Sequence, residues 1–220
     1  MALIDDLIKE KWLKTPRIIE AFRKIKRADF LPKDIVDLAE LNEALSLGFG
    51  QTISQPLVVA FMLELLEPKE GDKILDVGSG SGWTSALLGE IVGERGKVIA
   101  IDIVPELVEF GKQNAAKYNR QGIVEFVCTD GSKGYIKEAP YDNILASAAL
   151  AAAKGGKEDL SSLTSAREIP LAWKKQLKVG GIIVAPVGNS IWRLTKKSET
   201  DFNEEEYPGF VFVPLVAKEN

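Results

Sequence analysis

Apolar residues change their spacing part-way along the chain. Up to about Leu38 they recur every three or four positions, as one face of successive helices requires, with breaks at Thr15 to Arg17 and Leu31 to Asp34. Threonine followed by proline suits a helix cap and first turn, so one helix is predicted to begin at Pro16, and Pro32 marks the break before a shorter one. Pro56 to Leu66, PLVVAFMLELL, is apolar nearly all round and predicts a largely buried helix. Beyond it, short β-branched runs alternate with helical ones. Strands are predicted over Lys73 to Val77, Lys97 to Asp102, Ile123 to Cys128, Asp142 to Ser147 and Gly181 to Val187, with helices near Trp83 to Val92, Glu106 to Tyr118 and Pro170 to Leu177. This alternation predicts βαβ units: an α/β fold with a doubly wound, mostly parallel sheet. The last two apolar runs, Ser190 to Ser198 and Gly209 to Lys218, have only the acidic ETDFNEEEYP between them. They are expected to pair antiparallel at the sheet edge, where Pro214 is tolerated.

Length and composition fit this picture. The 220 residues, 45% apolar and 27% charged, suit one globular domain. Its division is expected at about residue 54, with a helical preface and covering loop over 1–54 and the nucleotide-type core over 55–220. No apolar run approaches the ~20 residues that span a bilayer, and the amino terminus mixes acids and bases, so neither a membrane nor a secretory route is expected. A single cysteine forbids an internal disulfide and points to the cytoplasm. Cys128 itself, within VEFVCTD, is expected as a small buried hydrophobe. A net charge of −4 gives no general pull toward nucleic acid, and the basic run Arg23 to Arg27, RKIKR, reads as a solvated helix face. Zero histidines exclude Ser-His-Asp and Cys-His catalysis, histidine-bound zinc and an imidazole base. No metal is expected.

The chemistry concentrates in ILDVGSGSGWTSALL, Ile74 to Leu88, where a strand ends at Val77, glycines occupy 78, 80 and 82, and a helix follows. Glycines there allow positive φ and close approach of a ligand to the backbone, and a helix start offers free N–H groups. A dinucleotide fingerprint would place a small residue at 83, which is tryptophan, and no Gly-Lys-Ser or Gly-Lys-Thr closes a P-loop. The pattern left is D-x-G-x-G-x-G, with Asp76 in the strand. Twenty residues past Gly82, Asp102 ends the next strand, where a carboxylate can accept both hydroxyls of a ribose. Asp130 and Gly131 follow the third strand. Tight turns and N-capping aspartates would produce parts of the same pattern.

These three elements at successive strand ends resemble the class I S-adenosylmethionine methyltransferases. The resemblance implies that Asp76 with Gly78, Ser79, Gly80 and Gly82 faces the methionine portion of S-adenosyl-L-methionine, Asp102 and Ile103 the ribose side, and Asp130 with Gly131 the adenine. A further stretch, GFGQTISQP, Gly48 to Pro56, is similar to the hallmark of the protein-L-isoaspartate (D-aspartate) O-methyltransferase family, and the likeness extends through PRIIEAFRKIKRADFLP, DGSKGY, APYDNILASAA, LKVGGIIVAPVG and FVFVPLV. It implies that Ser54 is the catalytic-site residue, that Gln51, Thr52 and Ile53 line the pocket over the methyl donor, and that Thr52, Ser54, Ser147 and Ala148 meet the substrate. By that resemblance the substrate is the free α-carboxylate of an isoaspartyl residue in a damaged protein or peptide, and the product of the donor is S-adenosyl-L-homocysteine. A monomer is expected. A capped helix start is the other reading of Ser54 and Pro56.

The resemblance weakens after Ala149. The family reaches Ile-Pro within a few residues, whereas Ile169-Pro170 here follows the long segment 150–168. That segment could serve as a lid, a partner-binding element or a surface loop. A methyltransferase with another acceptor, or a binding protein without catalysis, therefore stays open at this level.

Overall fold

A seven-stranded sheet organises the chain, whose computed structural model describes residues 2–118, 122–150 and 166–215. Two helices open it, α1 (Ala2–Lys9) and α2 (Pro16–Lys24), followed by 3-10 turns at Arg27–Phe30 and Lys33–Leu38. A two-stranded hairpin, β1 (Leu45–Gly48) and β2 (Gln51–Ile53), then leads into α3 (Pro56–Leu66). The core continues through β3 (Lys73–Val77), α4 (Trp83–Val92), β4 (Lys97–Asp102), α5 (Pro105–Ala116), β5 (Val124–Cys128) and β6 (Tyr141–Ala146). It finishes with α6 (Leu171–Gln176), β7 (Leu177–Val187), β8 (Ser190–Lys196) and β9 (Phe202–Pro208). The spatial order is β5-β4-β3-β6-β7-β8-β9, parallel from β5 to β7 and antiparallel from β7 to β9.

Strand alternation explains the two cores. Ile74, Val98 and Val124 face one side, where Phe22, Leu63, Leu66, Leu87 and Leu88 from α2, α3 and α4 close over them. Their neighbours Leu75, Val77, Ile99 and Ile101 face the other, against Ile169 and Trp173. Because both faces are covered, the parallel strands are apolar at nearly every position. The helical preface shares the first core: Leu7, Leu13 and Ile18 belong to it. Thr15 precedes α2 as expected but does not cap it with its side chain; its hydroxyl donates to Glu64 Oε2 at 2.8 Å, tying the start of α2 to α3.

The sheet edge differs from the expectation. The segment pairing with β8 is the acidic FNEEEYP, not the apolar run after Gly209. An edge strand has little apolar face to bury, and its cross-strand contacts here are polar: Arg193 Nη1 donates to Glu205 at 2.7 Å and Ser190 Oγ to Glu206 at 2.7 Å. Glutamates along an open edge also oppose the addition of a further strand. The apolar run turns away at Gly209, with φ +98°, and crosses the top of the sheet, where Ala149 N–H donates to Val213 O and Leu215 N–H to Ala149 O. Cys128 also departs from expectation. It is exposed, because β5 is the opposite edge of the sheet and its last residue lacks a covering neighbour. Among the described residues no helix is long and apolar enough to cross a membrane. Residues 151–165, most of the long segment 150–168, lie outside those described.

Candidate active site

The strand order reverses at β3, which has β4 on one side and β6 on the other. In open α/β sheets such a reversal opens a crevice at the carboxyl ends of the strands. The glycine loop fills the floor of this crevice. Gly78 N–H donates to Ile101 O at 2.8 Å and Ser147 N–H to Val77 O at 2.9 Å, so the chain leaving β3 is held against both neighbours. Gly82 has φ +83°, and a Cβ there would lie 2.8 Å from Gly111 O, so glycine alone permits the close approach of α4 to α5. Asp102 anchors the loop: one carboxylate oxygen accepts from Gly80 N–H at 2.9 Å, the other from Val104 N–H at 3.0 Å. Hydrogen bonds to a carboxylate contribute about 1.5–3 kcal/mol each. A carboxylate has roughly four acceptor positions, so Asp102 keeps capacity for ligand hydroxyls.

Asp76 stands behind this floor. It is wholly buried and lines neither hollow described below; one of its oxygens accepts from Ser85 Oγ at 2.6 Å, and the other meets no partner of good hydrogen-bond geometry among the described residues, with the Ser147 side chain close enough to favour its charge only weakly. Burial pushes its carboxyl up to about 6, the Ser85 hydroxyl pulling the other way and the charge of Asp102 adding to the rise. Asp130 is also outside the cavity walls. Its side chain accepts from Ser132 N–H at 2.9 Å, capping the 3-10 turn Gly131–Lys133, while Gly131 itself reaches the cavity. Gly82 serves the α4–α5 contact rather than the lining.

Above the floor lie two adjoining open hollows of about 450 and 340 Å³. Gln51, Gly78, Asp102 and Ala148 border both. The first adds Thr52, Ile53, Ser54, Ser79, Gly80 and Ser147, and the second Ile103 and Gly131. Twelve of the expected site residues thus converge, with Asp76, Gly82 and Asp130 one layer back. The sequence reading did not assign Ser81, Trp83 and Thr84 on the first wall, nor Val213 to Leu215 on the roof. The loop hydroxyls were visible in SGSGWT; the roof was not, since its apolar pattern is also that of a strand.

Ser54 sits between β2 and α3, and Gln55 rather than Ser54 is the cap of α3, without a side-chain capping bond. Among the described residues the Ser54 hydroxyl has no hydrogen-bond partner, and it borders the larger hollow. Ser54 is half-buried and its hydroxyl is open to the hollow, whereas Ser79 Oγ is buried without a partner among the described residues. A buried hydroxyl without a partner costs about 1–3 kcal/mol, so Ser79 is poised for a ligand, and Ser54 is free to meet one. The unsatisfied hydroxyls, the glycine floor and the Asp102 carboxylate fit a ligand that carries vicinal hydroxyls and polar groups, as S-adenosyl-L-methionine does.

The basic run RKIKR is not uniformly solvated. Arg23 and Lys24 are exposed, but Arg27 is buried and spends its guanidinium on main-chain oxygens. Nη1 donates to Ala39 O and Leu41 O at 3.2 and 3.0 Å, and Nη2 to Glu43 O and Ser54 O at 2.7 and 3.2 Å. Its carbon lies 5.6 Å from the centre of the Trp83 ring. Burial lowers its pKa to about 10, which leaves it charged at neutral pH. Trp83 in turn packs edge-on against Phe22 at 5.6 Å, which accounts for a bulky residue at the first turn of α4.

Comparison with known proteins agrees with this geometry. The family model described as protein-L-isoaspartate(D-aspartate) O-methyltransferase matches residues 1–155 and 158–220. A protein-L-isoaspartate O-methyltransferase of Methanopyrus kandleri is 36% identical over 221 residues, covering 99% of this chain and 91% of that protein. Protein-L-isoaspartate O-methyltransferase 2 of Archaeoglobus fulgidus is 40% identical over 204 residues, covering 90% and 84%. A solved protein-L-isoaspartate O-methyltransferase superposes with a TM-score of 0.81 at 25% identity; the match covers 97% of this chain and 64% of that one. A Plasmodium falciparum structure of the same description, in complex with S-adenosyl-L-homocysteine, shares the fold at a TM-score of 0.81 and 18% identity, covering 98% and 97%. With a glycine floor, a carboxylate at the second strand and a hydroxyl-bearing hairpin over both, the chain belongs to the protein-L-isoaspartate (D-aspartate) O-methyltransferase family.

Proposed function

We propose that this protein transfers the methyl group of S-adenosyl-L-methionine to the free α-carboxylate of L-isoaspartyl and D-aspartyl residues in damaged proteins and peptides. The ester then closes to a succinimide, whose hydrolysis returns part of the chain to normal aspartate. The observation that carries this reading is the Ser54 hydroxyl, without a hydrogen-bond partner among the described residues, at the wall of the hollow that Asp102 also borders.

When bound, the cofactor supplies a methyl carbon already activated by its sulfonium. Asp102 receives the ribose hydroxyls on acceptor positions that Gly80 and Val104 leave open. The backbone of Gly78 and Gly80 admits the methionine portion, with Ser79 Oγ as a donor or acceptor, and Gly131 borders the adenine, its turn capped from behind by Asp130. On the acceptor side, Ser54 and Thr52 donate to the carboxylate and fix its direction, beside Ser147. Ile53, Ala148 and Val213 provide apolar wall that keeps water from it. The acceptor, with an ordinary pKa near ~4, is ionised at neutral pH and needs no base. That accords with a chain that contains zero histidines. Alignment of reactants can supply up to roughly 7–11 kcal/mol, so positioning carries the reaction. The same reading has the enzyme act as a monomer in the cytoplasm, without nucleic acid or membrane.

Parallel assays on one peptide in isoaspartyl and normal aspartyl forms test the proposal. Base-labile methyl esters on the isoaspartyl form alone are expected. Equal labelling of both, or of neither, contradicts it.

A further inference from the structure

We infer that Arg27 is the positioning residue of the acceptor hairpin, closing its neck and setting the place of Ser54, an inference that rests on the function proposed above. The hairpin runs from Leu45 to Ile53, and the residues just outside it are the ones the guanidinium holds. A single nitrogen, Nη2, donates to Glu43 O before the first strand at 2.7 Å and to Ser54 O after the second at 3.2 Å. The other terminal nitrogen holds Ala39 O and Leu41 O on the approach. Four carbonyls, three from the approach to the hairpin and one from its exit, therefore converge on one buried fork.

Only arginine offers this. Its donors lie in one plane at fixed spacing, whereas lysine presents three donors from a point. A second and separate clasp closes the same neck: Gln55 Nε2 donates to Asn42 O at 2.8 Å, and Leu57 N–H to Asn42 Oδ1 at 3.0 Å. The other face of Arg27 lies over Trp83, part of the cleft wall. The cofactor floor is held independently, by Asp102 on Gly80 and by Gly82 against Gly111. Loss of the fork should therefore loosen the acceptor side most and touch the donor only through Gln51 to Ile53 above it, while the floor that holds the donor is kept.

Arg27→Lys in the full chain tests this, with methyl transfer to the isoaspartyl peptide and S-adenosylhomocysteine affinity measured side by side. We expect kcat/KM for the peptide to fall about 30-fold, as loss of charged hydrogen bonds implies, with most of the loss in kcat and homocysteine-nucleoside affinity within about threefold. Gln55→Ala, at the less buried clasp, is expected to give the same split at about threefold, and it carries the test if the lysine variant does not fold. Peptide kcat/KM within twofold of wild type in the folded variant, or donor affinity falling in step with turnover, overturns the inference. A wild-type protein that fails to label the isoaspartyl peptide overturns the proposed function itself, and that result shows before any variant is made.

Discussion

The two walls of the cleft are built by different means. The donor wall grows from adjacent parallel strands: the glycine loop leaves β3, and the carboxylate that anchors it ends β4, its immediate neighbour. The acceptor wall hangs on contacts made outside the strand pairing of the large sheet. Its hairpin is held by Arg27 from the preface, and its roof by main-chain bonds between Ala149 and the 213–215 segment. The donor wall is thus part of the sheet's own register, while the acceptor wall is attached to it. Such an arrangement lets acceptor geometry change without rebuilding the cofactor site, and it predicts that damage to the two walls reads out in different observables.

Gly82→Ala should have the largest effect. A Cβ at φ +83° that meets Gly111 O at 2.8 Å forces α4 and α5 apart, and we expect a loss of about 3 kcal/mol in urea unfolding. Asp102→Ala removes the loop anchor and the proposed ribose acceptor together; calorimetry should show S-adenosylhomocysteine affinity about 100-fold weaker. If donor binding survives, the donor wall is not anchored where we place it.

Asp76→Asn sharpens the comparison through pH. A carboxyl raised from 3.8 to about 6 in the folded state contributes stability that is complete below its unfolded pKa and lost as pH rises through about 6. Relative to wild type, the asparagine variant should therefore gain about 2 kcal/mol between pH 4 and pH 7, measured as the difference of two unfolding series. An unchanged difference across that window would mean that Asp76 is not desolvated. Ser54→Ala should have a smaller effect than these, about a tenfold fall in turnover with donor affinity kept within twofold. Equal loss in both quantities would dissolve the distinction between the walls.

The same distinction governs what could be read without coordinates. Lys73 to Val77, Trp83 to Val92 and Lys97 to Asp102 coincide with β3, α4 and β4, because period and glycine spacing are local signals. Asp102 was legible for the same reason. Arg27 was not, since within RKIKR it looks like its neighbours and only the fold decides which cation is buried. The apolar run after Gly209 has a strand pattern but crosses the site, and the acidic run before it takes the edge, where solvent rather than packing selects residues. Cys128 followed the average for its residue type, which an edge position overrides.

The central claim is that one ligand lies between these walls. A crystal structure with S-adenosyl-L-homocysteine tests it most directly. We predict the amino-acid portion along Gly78 to Gly80, both ribose hydroxyls on the Asp102 carboxylate, and the sulfur turned toward the Ser54 hydroxyl. A nucleoside bound elsewhere, or one whose ribose does not touch Asp102, would contradict the account.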